Sequence, residues 1–177
     1  MQENLVALLV VISSAVAFAG QDSAEWIKYV SPQGHYSIVV PKEPTLSTQE
    51  ASGATGEKFS QYIATAADSS ATYMIGYFDY TPAMSFSLEK GRDGMVAAVK
   101  GTLLSENSIS LGGSPGLELK VSAKGEDGVE YIVHARFYDV NKRVYFVQFI
   151  IPKPDDTTTA AEKMAKYFDS FKVVKTP

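Results

Sequence analysis

Val129–Ile151 reads VEYIVHARFYDVNKRVYFVQFII. Two alternating runs flank a polar stretch, Asp139-Val140-Asn141-Lys142-Arg143, which supplies a hairpin turn. Successive side chains of a strand point to opposite faces. The first arm therefore sets Tyr131, Val133, Ala135 and Phe137 on one face, and Ile132, His134, Arg136 and Tyr138 on the other. The second arm sets Val144, Phe146 and Ile150 against Tyr145, Val147, Phe149 and Ile151. A sheet with one wet face would carry polar residues in one of its two phases. Here both phases carry apolar residues, so the spacing predicts a sheet covered on both faces, at least at its centre.

The segments before this hairpin extend the same pattern. Leu117, Leu119 and Val121 alternate with Glu118, Lys120 and Ser122, a half-buried strand entered from the turn Gly112-Gly113-Ser114-Pro115-Gly116. Thr102–Leu111 reads as extended. Pro82 and Ser85 or Ser87 introduce a helix, about Ser87–Lys100, with the stripe Leu88, Met95, Val96 and Val99; Gly91 and Gly94 weaken it, and Gly101 is the expected C-terminal cap. Glu57–Ala66 and Ala71–Tyr80 are strands joined by Ala67-Asp68-Ser69-Ser70. In the second, Tyr73, Ile75 and Tyr77 share one face, and Met74, Phe78 and Tyr80 the other. Residues 45–56 show no periodicity and read as a loop or a poorly ordered strand. Glu25–Val30 and Tyr36–Val40 form an N-terminal hairpin around Ser31-Pro32-Gln33-Gly34, closed by Pro41 and Pro44. After Ile151, Pro152 and Pro154 stop the sheet. A last helix is expected from a capping box, Thr159-Ala160-Ala161-Glu162, with Met164, Phe168 and Phe171 facing the sheet.

At the other end of the chain, Leu5–Ile12 is apolar and Ala17-Phe18-Ala19 is an A-x-A site followed by polar Gly20-Gln21-Asp22-Ser23. This pattern predicts a cleaved signal peptide over residues 1–19 and a single domain over 20–177, working extracytoplasmically, in a periplasm or as a secreted protein. The apolar run is shorter than the ~20 residues of a membrane span. No membrane span is expected once it is removed. Residues 20–24 are expected to fray.

The chain has no Cys, which excludes disulfides, thiolate metal sites and Cys nucleophiles. Its formal charge is −4; residues 1–19 hold Glu3 and no Lys or Arg, so their loss leaves −3. A mildly acidic domain without a basic cluster is a poor nucleic-acid binder.

Catalytic signals are missing. The two histidines, His35 and His134, are far apart in sequence, and a strand histidine such as His134 is more often a structural hydrogen-bonding group than a ligand. Ser114 sits in a glycine turn with no G-x-S-x-G elbow. Those glycines lead into a strand, so they form no phosphate-binding loop. Asp155-Asp156 reads as helix N-terminal charge and Glu126-Asp127 as a turn. No catalytic residue, metal ligand or cofactor site is therefore expected. The remaining candidate is a mixed polar patch: Glu118, Lys120, His134, Arg136 and Tyr138 occupy the polar phases of neighbouring strands. Sharing one face, they would bind a carboxylate, a sugar or a partner side chain. Arg136 leads this set, because its planar fork accepts carboxylates bidentately.

Several segments together resemble a known family. They are Ser31-Pro32-Gln33-Gly34-His35-Tyr36-Ser37-Ile38 before a Pro41 stop, and a middle helix leading into Leu111-Gly112-Gly113-Ser114-Pro115-Gly116-Leu117-Glu118-Leu119. The aromatic hairpin and a closing Tyr167-Phe168-Asp169-Ser170-Phe171 complete the set. The layout resembles a group of uncharacterised exported bacterial proteins and, more distantly, the PsbP superfamily, named for an extrinsic lumenal protein of photosystem II. The resemblance implies an α+β fold, an α-β-α sandwich with a central antiparallel sheet of about six or more strands flanked by helices. It also implies an accessory role exercised through a protein partner. Two alternatives are a carrier of a small or lipidic ligand in a cavity between sheet and helix, and a hydrolase with a dispersed carboxylate/His site.

Overall fold

The computed structural model describes residues 25–53, 56–84 and 86–174. The expected signal peptide, residues 1–19, and the frayed start at 20–24 lie outside them. The hairpin is present as β8 (Glu130–Val140) and β9 (Arg143–Pro152), paired from Tyr131↔Pro152 to Val140↔Arg143. Its turn tightens to two residues, Asn141 and Lys142, both left-handed at φ 53° and 66°. Such turns match the right-handed twist of the strands they join, and Asn tolerates the conformation well.

The hairpin lies inside a seven-stranded antiparallel sheet. The other strands are β3 (Thr45–Ser52), β4 (Lys58–Ala67), β5 (Thr72–Asp79), β6 (Thr102–Leu111) and β7 (Ser114–Lys124). Their order is β3-β4-β5-β9-β8-β7-β6. A second sheet contains β1 (Ile27–Ser31), β2 (Tyr36–Val40) and β10 (Lys172–Val173), in the order β1-β2-β10. The helices are α1 (Leu88–Ala98) and α2 (Thr158–Asp169).

Both faces of the large sheet are covered, as the two apolar phases require. On one face Met74, Phe78, Leu119, Val133 and Phe146 join a core with Met95 of α1. On the other, Tyr73, Ile75, Tyr145, Val147 and Phe149 pack with Ile38 of β2, Tyr167 and Phe168 of α2, and Phe171. The fold is α+β, a central antiparallel sheet flanked by helices. The covering layer on the α2 side is shared with the small sheet, so the N-terminal hairpin closes the same core as the last helix.

Three local expectations need correction and one open reading is decided. Residues 45–56, read as a loop or a poorly ordered strand, form a strand over 45–52: β3 pairs with β4 over eight positions, from Thr45↔Thr65 to Ser52↔Lys58. It lies at the sheet edge with most side chains in solvent, so no apolar phase marks it. Helix α1 does begin at the Ser87 cap, whose hydroxyl accepts from Lys90 N–H at 3.3 Å. The left-handed residue that closes it is Lys100, not Gly101. Lys100 takes the left-handed turn at φ 48°. Its N–H reaches Ala97 O at 3.0 Å and that of Gly101 reaches Val96 O at 2.9 Å, a Schellman pair. Gly101 is needed for space, since a Cβ there would stand 2.7 Å from Ser122 O. The capping box at Thr159–Glu162 does not form: the helix starts two residues earlier, behind Thr157, with no side-chain cap bond. Finally, α2 ends at Asp169, so Phe171 packs from just beyond it. Tyr167, absent from the expected stripe, is the fully buried residue of that helix.

Candidate functional site

Register brings the five candidate residues together. Glu118 lies opposite Arg136, Lys120 opposite His134, and Gly116 opposite Tyr138. Side chains of alternate residues share a face, and this phase is the one beneath α2. Arg136 Nε donates to Glu118 Oε2 at 2.7 Å and Nη1 to Asp169 Oδ1 at 3.3 Å. The guanidinium lies 4.7 Å over the Phe168 ring. Lys120 Nζ donates to Asp156 Oδ2 at 2.7 Å, and His134 Nε2 is 3.0 Å from Asp156 Oδ1. Tyr138 is buried and stacks on Phe171, centroids 5.7 Å apart.

The electrostatics follow from these contacts. Burial raises the pKa of Asp156, but the bonds from Lys120 and His134 outweigh it and hold the carboxyl below its ordinary range. Burial opposes the charge of Arg136, yet Glu118 and Asp169 raise its pKa further. The patch is thus a set of ion pairs that clamps both ends of α2 to β7 and β8. Two members, Asp156 and Asp169, were not among the candidates. They stand 36 and 33 residues from their partners in sequence, and no local spacing links them. Asp156, read as helix N-terminal charge, is instead turned toward the sheet.

A second clamp sits at the turn between β4 and β5. Asp68 Oδ1 accepts from Ser70 N and Ala71 N at 2.8 Å each and from Ser70 Oγ at 2.9 Å. Its Oδ2 accepts from Tyr73 Oη at 2.9 Å and Lys163 Nζ of α2 at 3.0 Å. Burial raises this carboxyl's pKa too, and these donors overcome it and hold it low. Among the described residues no group of three or more His, Asp or Glu could hold a metal ion. Asp127 serves a turn, accepting from Val129 N at 2.9 Å and Tyr131 Oη at 2.8 Å.

An open concavity lies elsewhere, at the end of the sheet where the β6–β7 and β8–β9 turns meet β10. Its volume is about 940 Å³. Leu111, Val140, Phe171, Val173 and Val174 supply apolar walls, and His35, Asp79, Arg143 and Lys172 supply charge or polarity. Arg143 grips Asp79 with two parallel bonds of 2.6 and 2.7 Å and donates to Gln33 O at 3.0 Å. It also stacks 4.5 Å over Tyr77. The β6–β7 turn reaches this place because Gly112 and Gly113 are both left-handed, φ 58° and 88°. Of the groups weighed for chemistry in the sequence, His35 and the glycine turn line the cleft. Its other walls come from three separate segments, at Asp79, at the hairpin turn from Val140 to Tyr145, and at Phe171 to Val174.

No protein-family model matches the chain, and no curated protein matches it. Among solved structures it is similar to the cyanobacterial PsbP protein CyanoP of Synechocystis sp. PCC 6803. The two are 13% identical over 85% of this chain and 93% of that one, with a TM-score of 0.57. It is also similar to a protein of unknown function from Pseudomonas aeruginosa, at 12% identity over 86% and 99% of the two chains and a TM-score of 0.43. A protein from Bacteroides thetaiotaomicron matches at 14% identity over 84% of this chain and 48% of its own, with a TM-score of 0.49. The likeness to CyanoP shows a PsbP-like fold.

Proposed function

We propose that this PsbP-like domain is exported and acts outside the cytoplasm by binding a protein partner, without chemistry of its own. One contrast carries the reading. The charged residues of the strand patch are engaged with one another in holding α2 to the sheet, whereas the cleft beside β10 is open, mixed in character and built from turns. An open surface of mixed apolar and polar character is suited to recognising a partner. No helix among the described residues is long and apolar enough to cross a membrane.

Export rests on the apolar run ending at Ala17-Phe18-Ala19. Mass spectrometry of the exported protein is expected to find Gly20 at its N-terminus; intact Met1 on membrane-held protein would refute cleavage. For binding, the purified exported protein is cross-linked in its native extracytoplasmic fraction, the partner is identified, and the complex is reconstituted from pure components. Saturable one-to-one binding is expected by calorimetry. Reproducible turnover of a substrate, abolished by His134→Ala or Glu118→Ala, would overturn the non-catalytic reading. The strand patch of Glu118, Lys120, His134, Arg136 and Tyr138 remains a second place where a partner could dock, at the cost of opening its ion pairs.

A further inference from the structure

Resting on the binding reading above, we propose that the cleft takes an extended acidic segment of the partner protein, and that the free edge of β10 pairs with its backbone. Three observations converge on this occupant.

The first is charge. The chain is acidic overall, at −4, yet the cleft is not. Its one acidic lining residue, Asp79, is matched by Arg143 at 2.6 and 2.7 Å. Asp139, next to the lining residue Val140, accepts from the Tyr80 hydroxyl at 2.8 Å. Lys172 on the wall and Lys142 on the adjoining turn are exposed and have no ion pair among the described residues. With Asp79 matched by Arg143, the two ammonium groups outnumber the one remaining carboxylate, Asp139, and the surplus positive charge favours carboxylates.

The second is the backbone. Among the described residues β10 pairs only with β2, so its other side is a sheet edge. Val174 N–H donates to His35 O at 2.7 Å. In an antiparallel ladder the bonded pairs alternate, so Lys172, opposite Ser37, also turns its backbone groups to β2. Val173 turns its N–H and C=O away from β2, on a strand that lines the cleft. Unpaired edge groups of this kind are a template for an added strand.

The third is the wall itself. Leu111, Val140 and Phe171 offer apolar contact beside the lysines, which suits a strand whose side chains alternate between acidic and apolar. A small anion would use the lysines alone, and a lipid chain would leave the strand edge unused.

The probe is a fluorescein-labelled nonapeptide of alternating Glu and Val, followed by anisotropy against the purified exported protein. It should bind at least about tenfold more tightly than the Lys/Val counterpart, and lose affinity as salt rises, since exposed charges are screened. The Lys142→Glu/Lys172→Glu double variant should weaken binding about tenfold with an unchanged melting temperature. Peptides N-methylated at alternate residues should fail in one phase and bind in the other, because one set of N–H groups faces β10. Equal binding of the Glu and Lys peptides overturns the proposal without needing any variant. So does displacement by inorganic phosphate at equal concentration, which marks a small-anion site, or equal binding of both N-methylated phases. Self-association on sedimentation that the double variant abolishes also overturns it, in favour of a second copy of the chain. A reconstituted partner that binds the double variant as tightly as wild type removes the cleft and leaves the binding reading standing; a wild-type protein that binds no partner removes both.

Discussion

Asp68→Asn is the sharpest test of how α2 is held. The wild-type carboxylate accepts five hydrogen bonds, three at Oδ1 and two at Oδ2. With its carbonyl facing Ser70 and Ala71, an asparagine keeps the three bonds at Oδ1. Its NH₂ then faces the Tyr73 hydroxyl and the Lys163 ammonium, and the ammonium can only donate. Bonds to charged groups contribute about 1.5–3 kcal/mol each. Lys163 is partly solvent-exposed, at 27%, so its share falls toward the ~1 kcal/mol of a surface pair. The expected loss is about 2–4 kcal/mol by urea denaturation at neutral pH. The sign of the pH dependence is also determined. The folded carboxyl is held below its ordinary pKa, so its stabilisation is present above about pH 3.9 and is lost as pH falls through the depressed folded value. Asparagine does not titrate, and the gap between the two proteins should therefore narrow below about pH 4. A loss under about 1 kcal/mol, or a gap that stays constant into strong acid, would show that Asp68 does not anchor the helix.

Phe168→Ala should cost about 3–5 kcal/mol in the same assay, since the ring is buried against Tyr167 and beneath Arg136; a loss below about 1 kcal/mol would make α2 peripheral. Gly76→Ala should cost about 1–3 kcal/mol by overpacking, because the new Cβ would overlap the Phe146 ring and stand 2.7 Å from Tyr62 O; a neutral result would mean that the centre of the sheet can spread. Arg136→Ala should lower stability by about 1–2 kcal/mol, as its half-exposed bonds and its place over Phe168 are lost, and leave partner affinity within about threefold. A selective loss of affinity with stability intact would move the binding site to the strand patch.

The two-sided apolar alternation of residues 131–151 was enough to require a sheet covered on both faces, because period-two burial is a property of each strand alone. The same holds for the phases of Tyr73–Tyr80 and for the grouping of Glu118, Lys120, His134, Arg136 and Tyr138, which needs only that neighbouring strands run in register. Residues 45–56 admit either a loop or a poorly ordered strand in the sequence, because the edge position of β3 leaves its side chains in water and burial writes no pattern into it. Tyr167 escaped because the helical stripe was drawn one residue aside.

Tertiary structure alone decided what the polar groups do. Asp156 and Asp169 reach the patch from the two ends of α2, Lys163 reaches Asp68 across 95 residues, and the cleft forms where two turns and β10 meet. Hydrophobic periodicity is local and repeats along the chain, so it can be read residue by residue. An ion pair or a concavity depends on which distant segments the packed layers bring within a few ångströms, and that distance is a property of the fold.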